Sequence, residues 1–201
     1  MSSGVGVGAV DTDVVFRRVI DSVIGREGRY SADPADRGGA TAWGITEAVA
    51  RAEGWTGAMA ELPREVAVSI YRRRYWQAPG LDRIAMLDTV LAERLLDIGV
   101  NMGAATGIRF LQRALNVLNR QGAAFADIAV DGAFGPATET ALAGLLRARG
   151  TEGARVLRGM IAAQQAVRYI EIAEHDPTQE EFEFGWQLNR ALGGLTPGSP
   201  A

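Results

Sequence analysis

Arg26-Glu27-Gly28-Arg29-Tyr30 is followed two residues on by Asp33-Pro34-Ala35-Asp36-Arg37-Gly38-Gly39-Ala40-Thr41-Ala42-Trp43-Gly44-Ile45-Thr46. Upstream, Val14, Val15, Phe16, Val19, Ile20, Val23 and Ile24 recur at steps of three and four, the period of one buried helix face. Asp11 to Asp13 can cap that helix at its start, and Gly25 or Gly28 can end it. The quoted stretch then breaks the period. Its Asp-Pro and Gly-Gly pairs are turn formers, so a short β-hairpin is expected near residues 31–44. Helical spacing returns beyond it, and no useful length of strand-like alternation follows. The expected fold class is all-α with at most that one hairpin.

Working outward, a second helix is expected from near Thr46 to before Gly54. Pro63 suits the first turn of a third, which runs through Val66, Val68, Ile70 and Tyr71 to about Trp76, with Pro79-Gly80 as its stop. Met86, Leu87, Val90, Leu91, Leu95 and Leu96 predict one long helix over residues 85–100, interrupted at Asn101-Met102-Gly103-Ala104. Ile108, Leu111, Leu115 and Leu118 make residues 105–118 strongly amphipathic. A turn-rich insert over 122–135 precedes helices at about 136–148, 152–174 and 179–192. The expected organisation is two lobes, residues 11–90 and 91–192, sharing a long helix with a cleft between them. Disordered ends are expected at residues 1–10 and 193–201.

Composition narrows the chemistry. The 201 residues contain no cysteine, which excludes disulfides and thiolate metal sites. His175 stands alone, which argues against most zinc enzymes and against a Ser-His-Asp hydrolase. A net charge of −3, with arginines spread among acids, gives no general attraction for nucleic acid. No apolar run approaches the length of a membrane span. The glycine-rich start lacks the pattern of a secretory signal, so synthesis in the cytoplasm and action on a target reached by another route are expected. No cofactor or metal is called for.

Glu27 is the first candidate for chemistry. A helix C-terminus is the negative end of the macrodipole, a field that favours the protonated form of a carboxyl. A general acid in glycoside cleavage needs that form near neutral pH. Asp36 follows Glu27 by nine residues, and a loop of that length can bring the two carboxylates within the ~5–10 Å used by such pairs. Asp36 is the expected nucleophile, base or electrostatic stabiliser, and Asp33 is the alternative. Gly38 and Gly39 allow positive φ and close approach of backbone to a ligand. Thr41 and Thr46 can hold a water or a sugar hydroxyl, while Thr46 also suits a helix N-cap. Tyr30, Trp43, Tyr75 and Trp76 can stack on sugar faces, with core packing expected of at least two. Asn101, at the helix break, is a further candidate lining residue.

These motifs resemble those of glycoside hydrolase family 108, a group of N-acetylmuramidases that includes phage endolysins. The family's Glu-Gly-Gly-Tyr opening is matched by Glu27-Gly28-Arg29-Tyr30, with Arg29 departing from it. Its Asp-Pro-x-Asp-x-Gly-Gly-x-Thr-x-x-Gly-Ile-Thr run is matched by Asp33, Pro34, Asp36, Gly38, Gly39, Thr41, Gly44, Ile45 and Thr46. Tyr75-Trp76 matches a pair that ends a helix. The second half resembles the accompanying peptidoglycan-binding domain. Its matching segments are Asp97 to Gly103, Phe110-Leu111-Gln112-Arg113-Ala114-Leu115 and Asp131-Gly132-Ala133-Phe134-Gly135-Pro136-Ala137-Thr138. Gly185-Trp186 with Asn189-Arg190 matches a closing element, displaced by one residue. Coverage runs from about residue 15 to 192.

The resemblance implies a lysozyme-like, two-lobed enzyme that cuts the β-1,4 bond between N-acetylmuramic acid and N-acetylglucosamine. Glu27 matches the family's catalytic glutamate. The implied partner is the peptidoglycan glycan strand, met by a monomer without membrane insertion and released to the wall by a holin or a secretion system. The rival readings are a lytic transglycosylase acting on the same bond and a non-catalytic wall-binding or virion protein.

Overall fold

The computed structural model describes residues 11–27, 30–31 and 40–193. The chain divides into two compact units, residues 1–96 and 97–201. The expected disordered ends fall outside the described residues, apart from Gly193, which forms a turn.

The first unit opens with α1 (Thr12–Glu27). A three-stranded antiparallel sheet follows: β1 (Tyr30–Ser31), β2 (Thr41–Ala42) and β3 (Ile45–Thr46), in that spatial order. The hairpin expected near residues 31–44 is the antiparallel pair β1–β2, and a second, tight hairpin, β2–β3, follows it. Then come α2 (Glu47–Ala52), a 3-10 turn (Met59–Glu61), α3 (Arg64–Tyr71) passing into a π-helix (Arg72–Gln77), and α4 (Leu81–Leu87). α5 (Thr89–Met102) runs across the boundary between the units. The expected single helix over 85–100 is therefore two. Asp88 adopts an extended backbone (φ −155°, ψ 103°), and its Oδ1 accepts the Leu91 N–H at 3.0 Å, so one aspartate ends α4 and caps α5.

The apolar stripe of α1 is the core of this unit. Phe16, Ile20 and Ile24 are buried together with Ile70, Tyr71, Trp76, Ile84 and Leu91. The Phe16 and Trp76 rings lie 5.7 Å apart, and the Arg72 guanidinium sits 4.5 Å over Phe16. Ion pairs Asp13–Arg72, Asp21–Arg64 and Arg18–Glu93 fringe the stripe. All three have at least one well-exposed partner, so each contributes at most about 1 kcal/mol. Burying one large apolar side chain contributes about 1.5–3 kcal/mol, so apolar packing fixes α1 and the ion pairs trim it.

In the second unit, α6 (Ala104–Leu118) follows Gly103, whose φ of 88° breaks the helix where the sequence placed the interruption. α6 packs on α7 (Pro136–His175) through Leu111, Leu115, Leu142, Leu145, Leu157 and Ile161. α7 is two helical segments joined at Gly150 (φ 53°, ψ −142°), near the expected break. α8 (Glu180–Trp186) and a π-turn (Gln187–Ala191) close the unit. Trp186 stacks on Tyr169 at 5.0 Å, and Arg190 pairs with Asp97 at 3.0 Å. Among the described residues no helix is long and apolar enough to cross a membrane.

Candidate active site

Glu27 is the last residue of α1, and β1 starts three residues later. Its carboxylate is not among the groups the structure describes. Asp33, Asp36, Gly38 and Gly39 lie outside the described residues.

The strands place the remaining candidates in rows. Tyr30 is opposite Ala42, which is opposite Ile45; Ser31 is opposite Thr41, which is opposite Thr46. Opposed residues of an antiparallel sheet share a face, and successive residues alternate faces. Ala42 and Ile45 are each 2% exposed, so their row faces the core. The Thr41–Thr46 row therefore lies on the other face, and both residues are half-buried. Thr46 has a second duty. Its Oγ1 accepts the Val49 N–H at 3.3 Å and caps α2. The Thr41 hydroxyl has no hydrogen-bond partner among the described residues.

The β2–β3 turn is Trp43-Gly44, with φ of 56° and 74°. Two positive φ values in a two-residue loop match the right-handed twist of the flanking strands. Gly44 takes this conformation freely, whereas a residue with a Cβ pays about 1–2 kcal/mol for it. Trp43 is held there from two sides. Its Nε1 donates to the Leu62 carbonyl at 2.8 Å, and the Tyr71 hydroxyl donates to the Trp43 carbonyl at 3.2 Å. The Glu47 N–H donates to Ala40 O at 2.9 Å, tying the entry of β2 to the start of α2.

The aromatic candidates separate. Tyr30 is 48% exposed and Trp43 and Tyr75 are half-buried; Tyr75 tilts on Tyr71 at 5.6 Å. Trp76 is 1% exposed against Phe16. It is a core residue and offers no face to a sugar, which corrects its place among the stacking candidates. Asn101 lies in the second unit, and its Nδ2 donates to the Asp97 carbonyl one turn back at 2.6 Å.

Sequence reasoning missed Tyr71 and Arg51. Arg51 donates to the carbonyls of Trp55 and Gly57 and pairs with Glu47 at 2.8 Å. The Glu47–Arg51 spacing of four residues was its available signal. Nothing local marks Tyr71 as the support of a turn 28 residues earlier.

In the second unit, two of the motifs prove to be one hydrogen-bonded knot. Gln112, 1% exposed, accepts the Gly132 N–H through Oε1 at 2.9 Å. Its Nε2 faces Asp131 Oδ1 at 2.8 Å, Ala133 O at 3.0 Å and Thr138 Oγ1 at 3.3 Å. The Ala133 N–H and then Gln112 hold the Asp131 carboxyl below its ordinary pKa, because both donate to the ionised form. Gly132 (φ 83°) is required twice, since a Cβ there would also stand 3.0 Å from Ala105 O. No group of three or more potential ligand side chains among the described residues could hold a metal ion.

The model of glycosyl hydrolase 108 matches residues 20–103, and that of a predicted peptidoglycan domain matches residues 106–191. The solved structure of Brucella abortus SagA is similar over 90% of this chain and 95% of that chain, with 25% identity and a TM-score of 0.62. No curated protein sequence matches. The first match spans the end of α1, the sheet and the hairpin turn; the second contains the Gln112 knot. The chain thus carries a glycosyl hydrolase 108 segment followed by a predicted peptidoglycan domain, and the pair supports a peptidoglycan hydrolase.

Proposed function

We propose that the chain is an N-acetylmuramidase that hydrolyses the β-1,4 bond between N-acetylmuramic acid and N-acetylglucosamine, with Glu27 as general acid. Glu27 gives its proton to the glycosidic oxygen as the bond from that oxygen to the sugar C1 breaks. Asp36, or in its place Asp33, steadies the oxocarbenium-like transition state and takes the proton of the attacking water. Thr41 holds that water, with Thr46 beside it. Tyr30, Trp43 and Tyr75 offer sugar-facing rings, and Gly39 lets backbone approach the glycan.

The observation that carries this reading is the Thr41–Thr46 row, turned away from the core on a sheet whose first strand begins three residues after Glu27. Threonine hydroxyls that can hold a water support hydrolysis over transglycosylation, which needs no water.

Loss of turbidity of purified sacculi tests the proposal. Glu27→Gln should slow it at least ~100-fold, the scale for removing a general acid. A near-native rate for that variant removes Glu27 from the role. Mass spectrometry of the products separates the rivals: reducing muramic acid ends mean hydrolysis, and anhydro ends mean a lytic transglycosylase.

A further inference from the structure

Away from the candidate active site, the second unit holds an open cavity of about 670 Å³ where α6 gives way to the insert before α7. Its polar wall is Asn116, Asn119, Arg120, Gln121 and Asp127. Cavities of this size suit a small ligand.

The wall is rigid because its asparagines are fully engaged. Asn119, 3% exposed, donates to Asp127 Oδ1 at 2.6 Å and accepts the Gly122 N–H at 3.1 Å. Asn116 clamps Ile128 in both directions, donating to its carbonyl at 2.8 Å and accepting its N–H at 2.9 Å.

Arg120 and Gln121 are of another kind. Both sit at φ 59°, so two consecutive residues with long side chains occupy the left-handed region. Each conformation costs about 1–2 kcal/mol that glycine would not pay. Neither the Arg120 guanidinium nor the Gln121 amide has a partner among the described residues. Both side chains are exposed on the cavity wall, and strained backbone of this kind recurs at ligand sites.

The charges select the ligand. Arg120 offers a planar donor for a carboxylate. Asp127 spends one oxygen on Asn119 and keeps the other for a cation. No aromatic ring lines the cavity, so the usual platform for a sugar face is missing. Within peptidoglycan, the glycan carries no ammonium group, whereas the stem peptide carries carboxylates and, on its diamino acid, an amine. We propose that this cavity binds the stem peptide of peptidoglycan, its carboxylate on Arg120 and its ammonium on Asp127. The proposal rests on peptidoglycan being the partner of the second unit, and it assigns that unit a ligand different from the glycan cut by the first.

The test uses the intact chain with Glu27→Gln, so that nothing is cleaved during binding. A stem tetrapeptide with a free diamino-acid amine is titrated by NMR against a peptide-free glycan oligomer. The tetrapeptide should shift the amides of residues 120–122, and the oligomer should not. Arg120→Gly suits φ 59° and keeps the fold, as a melting temperature at or above the parent's will verify; it should weaken peptide binding about 10-fold, the scale of one charged hydrogen bond. Asp127→Asn keeps the bond from Asn119 and should weaken the free-amine peptide while leaving an N-acetylated one unaffected. Equal affinity of Arg120→Gly and its parent, or shifts of these amides by the oligomer, overturns the proposal. Sacculus hydrolysis by the native chain without peptide binding sinks this site alone. Peptide binding without hydrolysis sinks the muramidase reading and leaves the site standing.

Discussion

Gln112→Leu removes the knot that joins α6 to the Asp131–Thr138 turn while nearly conserving volume. The two Nε2 protons face three acceptors, so at most two full bonds form there. With the bond from the Gly132 N–H, about three net bonds are lost, roughly 3 kcal/mol. Leucine regains roughly 1 kcal/mol through its added apolar area. The exposed Asp131 carboxylate and Ala133 carbonyl return to water and add little, whereas the Thr138 hydroxyl, 3% exposed, stays unsatisfied. With at least about 1 kcal/mol for that hydroxyl, the net loss is about 3 kcal/mol. At about 2–4 °C per kcal/mol for a chain of this length, the melting midpoint should fall by about 6–12 °C. Calorimetry reads the shift, and amide exchange at Gly132 reports whether the lost acceptor is the cause. Gln112→Glu should be worse at neutral pH, since it sets a second carboxylate against Asp131, and should recover partly in acid. A midpoint within about 1 °C of native, with Gly132 still protected, would show that the knot is incidental to stability.

Two further outcomes follow from single groups. Thr46→Ala should cost about 1 kcal/mol through the lost cap of α2, and Thr46→Ser should restore most of it; denaturant melts of the two variants check this. Asp131 has a folded pKa below its unfolded one. Its contribution is therefore fully present above the unfolded value of about 3.9 and fades as pH falls through the folded value. Asp131→Asn, which cannot titrate, should flatten that part of the acid branch of a stability–pH curve. An acid branch as steep as native would show that another group, such as the similarly lowered Asp176, carries it.

The parts of the fold that were legible are those set by local rules. The stripe from Phe16 to Ile24 marked α1, the threonine before Glu47 marked the start of α2, and the Asn101–Ala104 interruption marked Gly103. The break at Asp88 was also marked, as a capping residue ahead of Val90 and Leu91, but the apolar period on both sides masked it. Tyr75 and Trp76 look equivalent in sequence. Only the packing of the π-helix against α1 sends Trp76 onto Phe16 and leaves Tyr75 half-buried. The Gln112 knot was half legible. Each motif could be seen alone, but 19 residues or more separate the groups that bond, and no local pattern carries such a distance.

The hairpin turn shows why local rules fail near the candidate site. A tryptophan at positive φ contradicts its own propensity, so sequence reading did not mark Trp43-Gly44 as a turn. The tertiary bonds from Trp43 Nε1 to Leu62 O and from Tyr71 to the Trp43 carbonyl offset that local cost. The turn in return fixes the register of β2 against β3. A slip of one residue would exchange the two faces of a strand. Ile45 would leave the core and a threonine hydroxyl would enter it without a partner. Burying that hydroxyl costs about 1–3 kcal/mol and losing the isoleucine a similar amount, together more than the strain at Trp43. The strained turn is thus the cheaper state, and it keeps Thr41 and Thr46 side by side on the face turned away from the core.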